Sequence, residues 1–146
     1  MAIYPDVLID TNMADGLCFG CGPNNPAGLH LAFKTDGQKV RAEFVPARHH
    51  QGWPDILHGG IISAVLDEAM SYAAKLSVKV ECVTAQMSVV FREPVKITQR
   101  LEVSSFVTRV SRKILESKAE LTLADGTVVA EGRSKQYVVG GTNYHE

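Results

Sequence analysis

The sequence has few cysteines, no long apolar run and no signal-like start. Its three cysteines, Cys18, Cys21 and Cys82, are an odd number in a chain of 146 residues, which is long enough to fold without disulfides. Reduced thiols are therefore expected. No apolar run reaches the ~18 residues of a membrane span, and the N-terminal segment lacks the basic flank and apolar centre of a signal peptide. These absences predict a cytoplasmic protein.

The sequence also lacks a surplus of either charge. It carries 15 Lys and Arg against 16 Asp and Glu, with no long block of one sign. Nothing in this balance favours nucleic acid or an anionic membrane as a partner. The length fits one domain over residues 1–146.

Turn-forming residues dominate the start of the chain. The stretch "CGPNNPAG" holds two Pro, two Asn and two Gly in eight positions, so residues 1–28 are expected to be irregular and the folded core to span 29–140. Apolar residues then alternate on both sides of an Asp36-Gly37 turn, which predicts a β-hairpin. Residues 45–57 show no period and carry two prolines, which is typical of a loop.

One helix and four further strands follow. Residues from about 59 to 76 have the helical period, with an apolar stripe formed by Ile62, Leu66, Ala69, Ala73 and Leu76. Period-two segments at 83–95, 97–107, 112–123 and 126–139 predict strands, with a tight Asp125-Gly126 turn before the last one. The predicted class is α+β, with an antiparallel sheet of about six strands around one long central helix. Because one sheet cannot cover so apolar a helix, a second copy of the chain is expected to complete it, as a homodimer or a dimer of such dimers.

The segment "LHGGIISAVLDEAM" at 57–70 carries a resemblance. Its "HGG", followed nine residues after the histidine by Asp67, resembles the hotdog-fold thioesterase superfamily, in particular its PaaI-like acyl-CoA thioesterase branch. "CFGCGPNNPAGLHLAF" and "QGWP" resemble a recurrent version of that branch, so the likeness covers about residues 18–139. It implies a hotdog fold and an acyl-CoA substrate, with coenzyme A as part of the substrate and no cofactor or metal.

The resemblance also implies roles for single residues. Gly60 matches the backbone N–H that polarises the thioester carbonyl, which suits the donors of a helix N-terminus. His58 matches the histidine beside that turn, and Asp67 matches the carboxylate that activates water or attacks directly, across the dimer interface. Thr84 falls where a hydroxyl assists that carboxylate. The remaining expected site residues are Gly59 and Ser63, which would line the substrate site, and Gln51, which would hold the water or the carbonyl or else be a surface glutamine.

Helix geometry distinguishes the two adjacent acids. At about 100° per residue, Glu68 lies about 20° from Lys75 on a face expected to be solvated, while Asp67 lies about 20° from Ala74 and 40° from Ser63. Small neighbours suit a carboxylate at an interface cleft. Asp67 is therefore the predicted catalytic acid, and solvation of the outer helix face is the alternative for both acids.

Other polar residues have weaker patterns. Cys18 and Cys21 are expected to shape a turn rather than bind metal, because no second Cys or His pair has zinc spacing. His49, His50 and His58 are expected to be solvated loop residues rather than metal ligands with Asp67. Asp55 stands where many relatives have glycine and would oppose an oxyanion if it pointed inward. The basic residues considered for holding the coenzyme A phosphates form no motif; they include Arg92, Arg109, Arg112 and Lys113.

Two other functions fit the same pattern. A non-catalytic acyl-CoA binding domain would keep the cleft without using the carboxylate. A hotdog hydratase or dehydratase would need a different pairing of acid and histidine. Turnover of an acyl-CoA distinguishes the first from a thioesterase, and hydration of an enoyl-CoA identifies the second.

Overall fold

A computed structural model describes residues 7–8, 15–79 and 81–139. Seven antiparallel strands form one sheet in the order β1-β2-β3-β5-β6-β7-β4, and one long helix packs on it. The strands are β1 (Val7–Leu8), β2 (Lys34–Thr35), β3 (Val40–Phe44), β4 (Cys82–Phe91), β5 (Leu101–Val110), β6 (Ile114–Leu123) and β7 (Val128–Val138). The helix α1 spans Gly59–Val78, and a single 3₁₀ turn covers Arg48–His50. The predicted α+β class is confirmed, and none of the described helices is long and apolar enough to cross a membrane.

The predicted hairpin is present, but its first strand is short. Leu29, Leu31 and Phe33 are buried as their alternation predicts, although only Lys34–Thr35 pairs with β3. The backbone of the preceding segment bonds elsewhere, since Leu29 N–H donates to Phe19 O (2.7 Å) and Leu31 N–H to Gly20 O (2.9 Å). The expectation of an irregular segment over 1–28 is wrong at β1, which pairs with β2.

The helix is buried on most of its circumference. Of the predicted stripe, Leu66 and Ala69 are fully buried, whereas Leu76 is 38% exposed and does not belong to the core. Gly132 of β7 allows the helix to approach the sheet, because a Cβ there would lie 3.1 Å from Met70 Cε. Gly60, Ala64, Asp67 and Ser71, at helical spacing, form a stripe in which no residue is buried.

Strand β4 lies at the edge of the sheet. It pairs with β7 on one side, and no described strand pairs with its other side over its 10 residues. Val83, Val90 and Phe91 are each at least 50% exposed. A long edge strand with exposed apolar side chains is a surface that proteins ordinarily cover.

Candidate functional site

The start of α1 is organised by His58. Its backbone is extended and its Nδ1 accepts a hydrogen bond from Gly60 N–H at 2.8 Å, so that His58 caps the helix. Its own N–H donates to His50 O (2.9 Å), and its carbonyl accepts from the N–H groups of Ile61 and Ile62. Because Nδ1 accepts, the neutral ring carries its hydrogen on Nε2.

Among the described residues, one backbone N–H at the start of α1 remains without a hydrogen-bond partner. A helix begins with N–H groups that have no intrahelical acceptor. His58 and Gly60 use theirs as described, whereas Gly59 N–H has no hydrogen-bond partner among the described residues. The prediction of Gly60 as the oxyanion donor is therefore contradicted by the cap. The available donor is the N–H of Gly59.

Gly60 has a different reason to be glycine. A Cβ at this position would lie 2.9 Å from His58 Nδ1, so any side chain would disturb the capping ring. At Gly59 a Cβ would meet only the Phe91 ring, at 3.3 Å from Cε1. Ser63, the other predicted substrate-lining residue, donates its hydroxyl to Gly59 O at 2.9 Å, which leaves only acceptor capacity on that oxygen.

The acid predicted to be catalytic lies further along the same helix. Asp67 is half-buried, and its Oδ1 accepts a hydrogen bond from the hydroxyl of Thr84 at 2.7 Å. Thr84 reaches the helix because β4 has a bulge between Thr84 and Gln86, which breaks the strict alternation expected for this strand. Thr84 and Met87 consequently both face the helix side, while Val83 faces out. Bulges commonly redirect a side chain in this way.

Donor and acid of one chain are far apart. Eight residues separate Gly59 from Asp67 within α1, which at the helical rise corresponds to about 12 Å. A thioester carbonyl and the water that attacks it are bonding neighbours, so their two partners must lie within a few ångströms of one centre. One copy of the chain cannot bring both groups to the same carbonyl.

The loop before the helix is held by its own hydrogen bonds. Gln51 pairs with Leu57 in an isolated bridge, and Gln51 Oε1 accepts from Asp55 N–H at 3.2 Å. The amide oxygen of Gln51 thus supports the loop. Asp55 has a left-handed backbone with φ of 63°, a conformation that favours glycine, and it is exposed, which keeps its charge in solvent.

The chain matches known proteins over this region. The sequence profile of the thioesterase superfamily matches residues 55–130, just over half of the chain, which includes the end of the loop, α1 and β4. The chain belongs to the thioesterase superfamily. A search of curated proteins found no significant match.

Solved structures share the fold of this thioesterase-superfamily chain. AziG of S. sahachiroi has a TM-score of 0.72 and 23% identity, covering 76% of this chain and 92% of its own. The E. coli PaaI protein from the phenylacetic acid degradation operon has a TM-score of 0.71 and 19% identity, with coverages of 78% and 83%. Zebrafish thioesterase superfamily member 2 has a TM-score of 0.71 and 20% identity, with coverages of 80% and 89%. These likenesses confirm the hotdog fold.

Two aromatic residues at this thioesterase-superfamily site were not predicted from the sequence. Phe91 lies against Gly59, and Trp53, which is 82% exposed, lines a surface depression together with His58 and Gly59. Large aromatic side chains are ordinarily covered, so an exposed tryptophan in this depression is an unusual surface feature. The "QGWP" stretch was the only sequence signal for it.

In the described part of the chain, His49, His50 and His58 are not grouped with Asp67 at metal-ligating distance. Among the described residues the only metal-like cluster is a different one, Cys18, Cys21 and Glu68. His50 is not solvated as expected but buried, with Nδ1 accepting from Ala47 N–H at 2.9 Å. Burial, together with the neighbouring His49, lowers the pKa of His50 below its usual value.

Glu68 also differs from its expected setting. It is half-buried, with Oε1 3.4 Å from Cys18 Sγ, and lies against the backbone of Gly20 rather than on a solvated face. Of the basic residues considered for coenzyme A, Arg92 forms an ion pair with Glu131 at 2.7 Å. Glu68 thus contacts the N-terminal turn, whereas Asp67 contacts β4.

Proposed function

We propose that the protein is an acyl-CoA thioesterase that hydrolyses its substrate with water and works as a homodimer. The observation that carries this proposal is the pair of groups on α1, the unpaired Gly59 N–H and the Asp67 carboxylate held by Thr84, in a chain of the thioesterase superfamily. The chemistry requires no metal or cofactor.

Gly59 N–H suits the oxyanion. Attack on a thioester carbonyl builds negative charge on its oxygen, and an unpaired N–H at the positive end of a helix is a fixed donor for that charge. Glycine lets the substrate approach the backbone closely, and the Phe91 and Trp53 rings beside it offer apolar contact to the acyl or thioester portion. His58, with its Nε2 hydrogen turned away from the cap, is the neighbouring polar group.

Asp67 suits the activation of water. The Thr84 hydroxyl fixes Oδ1, which leaves Oδ2 to accept a proton from a water molecule. The water oxygen bonds to the carbonyl carbon as Asp67 takes the proton, and the tetrahedral intermediate then breaks its C–S bond. The departing coenzyme A thiolate takes that proton from Asp67, which restores the carboxylate. Direct attack by Asp67, giving an anhydride that water hydrolyses, uses the same geometry.

The separation of about 12 Å along the helix calls for two chains. A two-fold axis that sets two α1 helices antiparallel brings Asp67 of one copy towards Gly59 of the other, and the stripe of small residues around Asp67 permits close approach. The free edge of β4 provides the surface for this pairing, with Val83, Val90 and Phe91 exposed along it. Each site then takes its donor from one chain and its acid from the other.

The first test is a hydrolysis screen over short, long and aromatic acyl-CoAs, with thiol release as the signal. Asp67→Asn keeps size and much of the hydrogen bonding but cannot accept the proton, so kcat should fall about 100-fold or more with a smaller change in KM. Glu68→Gln is the matched control on the adjacent residue. Tight acyl-CoA binding without turnover by the wild type would instead identify a non-catalytic binding domain, and enoyl-CoA hydration a hydratase.

A mixing experiment tests the shared site. Gly59→Pro and Asp67→Asn chains are each expected to form inactive homodimers, but a heterodimer of the two contains one site with both groups intact. Random pairing should restore about one quarter of wild-type activity. If donor and acid acted within one chain, no heterodimer site would be intact and mixing would restore nothing.

A further inference from the structure

We propose that Cys18, Cys21 and Glu68 form a zinc site that fastens the N-terminal turn to helix α1. One atom from each residue, the two Sγ atoms and a carboxylate oxygen, all lie within 4.8 Å of one another. Thiolate and carboxylate are both zinc ligands, and two soft sulfurs select zinc over magnesium or calcium. The sequence alone did not show this site, because its third ligand lies 50 residues from the first.

The distances are close to those of a tetrahedral zinc site. Bonds of about 2.3 Å to sulfur and 2.0 Å to oxygen at tetrahedral angles place the two ligand atoms about 3.5 Å apart. Cys18 Sγ lies 3.4 Å from Glu68 Oε1. This pair of atoms is therefore already at the separation that one zinc ion requires, and a ligand atom of Cys21 lies within 4.8 Å of both residues' ligand atoms.

The turn is shaped to admit the carboxylate. A Cβ on Gly20 would lie 2.5 Å from Glu68 Cδ, so only glycine lets the acid lie against the turn between the two cysteines. A Cβ on Gly22 would lie 2.3 Å from Gly16 O, and Gly22 N–H donates to Cys18 O at 2.8 Å. Both glycines thus serve a tight loop that turns two thiols and one carboxylate towards the same point.

The surroundings can complete the coordination. The three ligands line a cavity of about 290 Å³ whose wall also includes Cys82, so all three cysteines of the chain face one space. Zinc takes four ligands, and a water molecule in this space can supply the fourth. Tyr72 supports the site from within the core by donating its hydroxyl to Cys21 Sγ at 3.0 Å.

The charges around the cavity also fit. Two thiolates and a carboxylate exceed the charge of one zinc ion by one negative unit, and Lys75 on the cavity wall offsets it, while Glu81 on the same wall adds to it. Zinc binding to two thiols displaces their protons into solvent. The site lies beside Asp67 in sequence but on another face of α1, so its role is to hold the turn rather than to act in hydrolysis.

The test measures metal on the full-length protein, purified under reducing conditions. We expect about one zinc per chain by elemental analysis, and an absorption band from thiolate-to-cobalt charge transfer when Co²⁺ replaces zinc. Adding zinc in 100-fold excess over its dissociation constant should raise the Tm of the stripped protein by about 5 °C or more. Cys18→Ser and Glu68→Gln should lose the stoichiometric metal, whereas Asp67→Asn, which changes the adjacent carboxylate, should keep it.

Several outcomes would overturn the proposal. A wild-type protein that binds no zinc and keeps its Tm on zinc addition has only a packed turn at these residues. A mass about 2 Da below that of the reduced chain, with Cys18 and Cys21 linked in one peptide after digestion, would show a disulfide between them instead. If Cys18→Ser fails to fold, the half-exposed Glu68→Gln and the zinc dependence of the wild-type Tm still decide the question.

Discussion

Replacing Gly59 with proline should remove the oxyanion donor while leaving the helix in place. Residue 59 is the first residue of α1, where proline is favoured because its missing N–H has no intrahelical acceptor. The preceding residue, His58, has φ −65° and ψ 133°, a conformation that proline permits in the residue before it. Gly59 N–H makes no hydrogen bond within the described chain, so the substitution costs little folding energy.

The size of the effect follows from the role of that donor. Loss of one preorganised oxyanion donor costs about 3 to 4 kcal/mol in the transition state, or about 10²- to 10³-fold in kcat. Gly59→Ala is the matched control, because it adds a Cβ at the same place, 3.3 Å from Phe91 Cε1, but keeps the N–H. The ratio of the two variants therefore isolates the N–H from the added bulk.

The assay compares kcat and KM of both variants on the best acyl-CoA, after circular dichroism and sedimentation show that each is folded and in the wild-type oligomeric state. Gly59→Pro should be at least about 100-fold slower than Gly59→Ala. Equal activities of the two variants would refute Gly59 N–H as the donor, and the oxyanion would then need another partner such as His58 Nε2.

Three further predictions concern single contacts. Thr84→Val, which removes the hydroxyl bound to Asp67, should lower kcat by about tenfold. Thr84→Ser keeps the hydroxyl and should retain most of the wild-type kcat. Equal losses in the two variants would show that the methyl group matters instead. Burial lowers the pKa of His50 in the folded state. As the pH falls from 6.5 to that lowered pKa, His50 takes up a proton in the unfolded state but not in the folded state, so the free energy of unfolding should decrease. Urea unfolding at pH 7.5 and 5.5 should show a smaller drop in His50→Phe than in the wild type. Asp55→Gly should be about 1 kcal/mol more stable than Asp55→Ala by thermal unfolding, since φ is 63°, and equal stability would contradict the strained backbone.

Most of the fold follows from apolar periodicity. Apolar residues that alternate with period two predicted β4 to β7 to within a few residues, and apolar residues spaced by three and four over 59–76 predicted α1. Burial against one core imposes both periods. Burial and strand pairing are separate properties, however. Leu29, Leu31 and Phe33 alternate and are buried, yet their backbone bonds to the N-terminal turn instead of extending β2.

The site follows from the sequence only in part. The resemblance indicated His58, Asp67 and Thr84, and the structure brings the last two into hydrogen-bond contact. It could not indicate which helix N–H is available, because histidine is not among the usual capping residues and its ring takes the N–H of Gly60. Nor could a period-two strand predict the bulge that turns Thr84 towards the helix.

The two acids in the helix have separate explanations in the tertiary structure. Asp67 and Glu68 point about 100° apart around the helix axis. The Asp67 carboxylate therefore lies beside β4, and the Glu68 carboxylate lies against the turn that holds Cys18. The solvated-face prediction for Glu68 failed because it used only neighbours on the helix, such as Lys75, whereas the group that covers Glu68 comes from residues 18–20. Helix geometry yields the separation of about 12 Å between Gly59 and Asp67, and that separation requires a second chain for any mechanism that uses both.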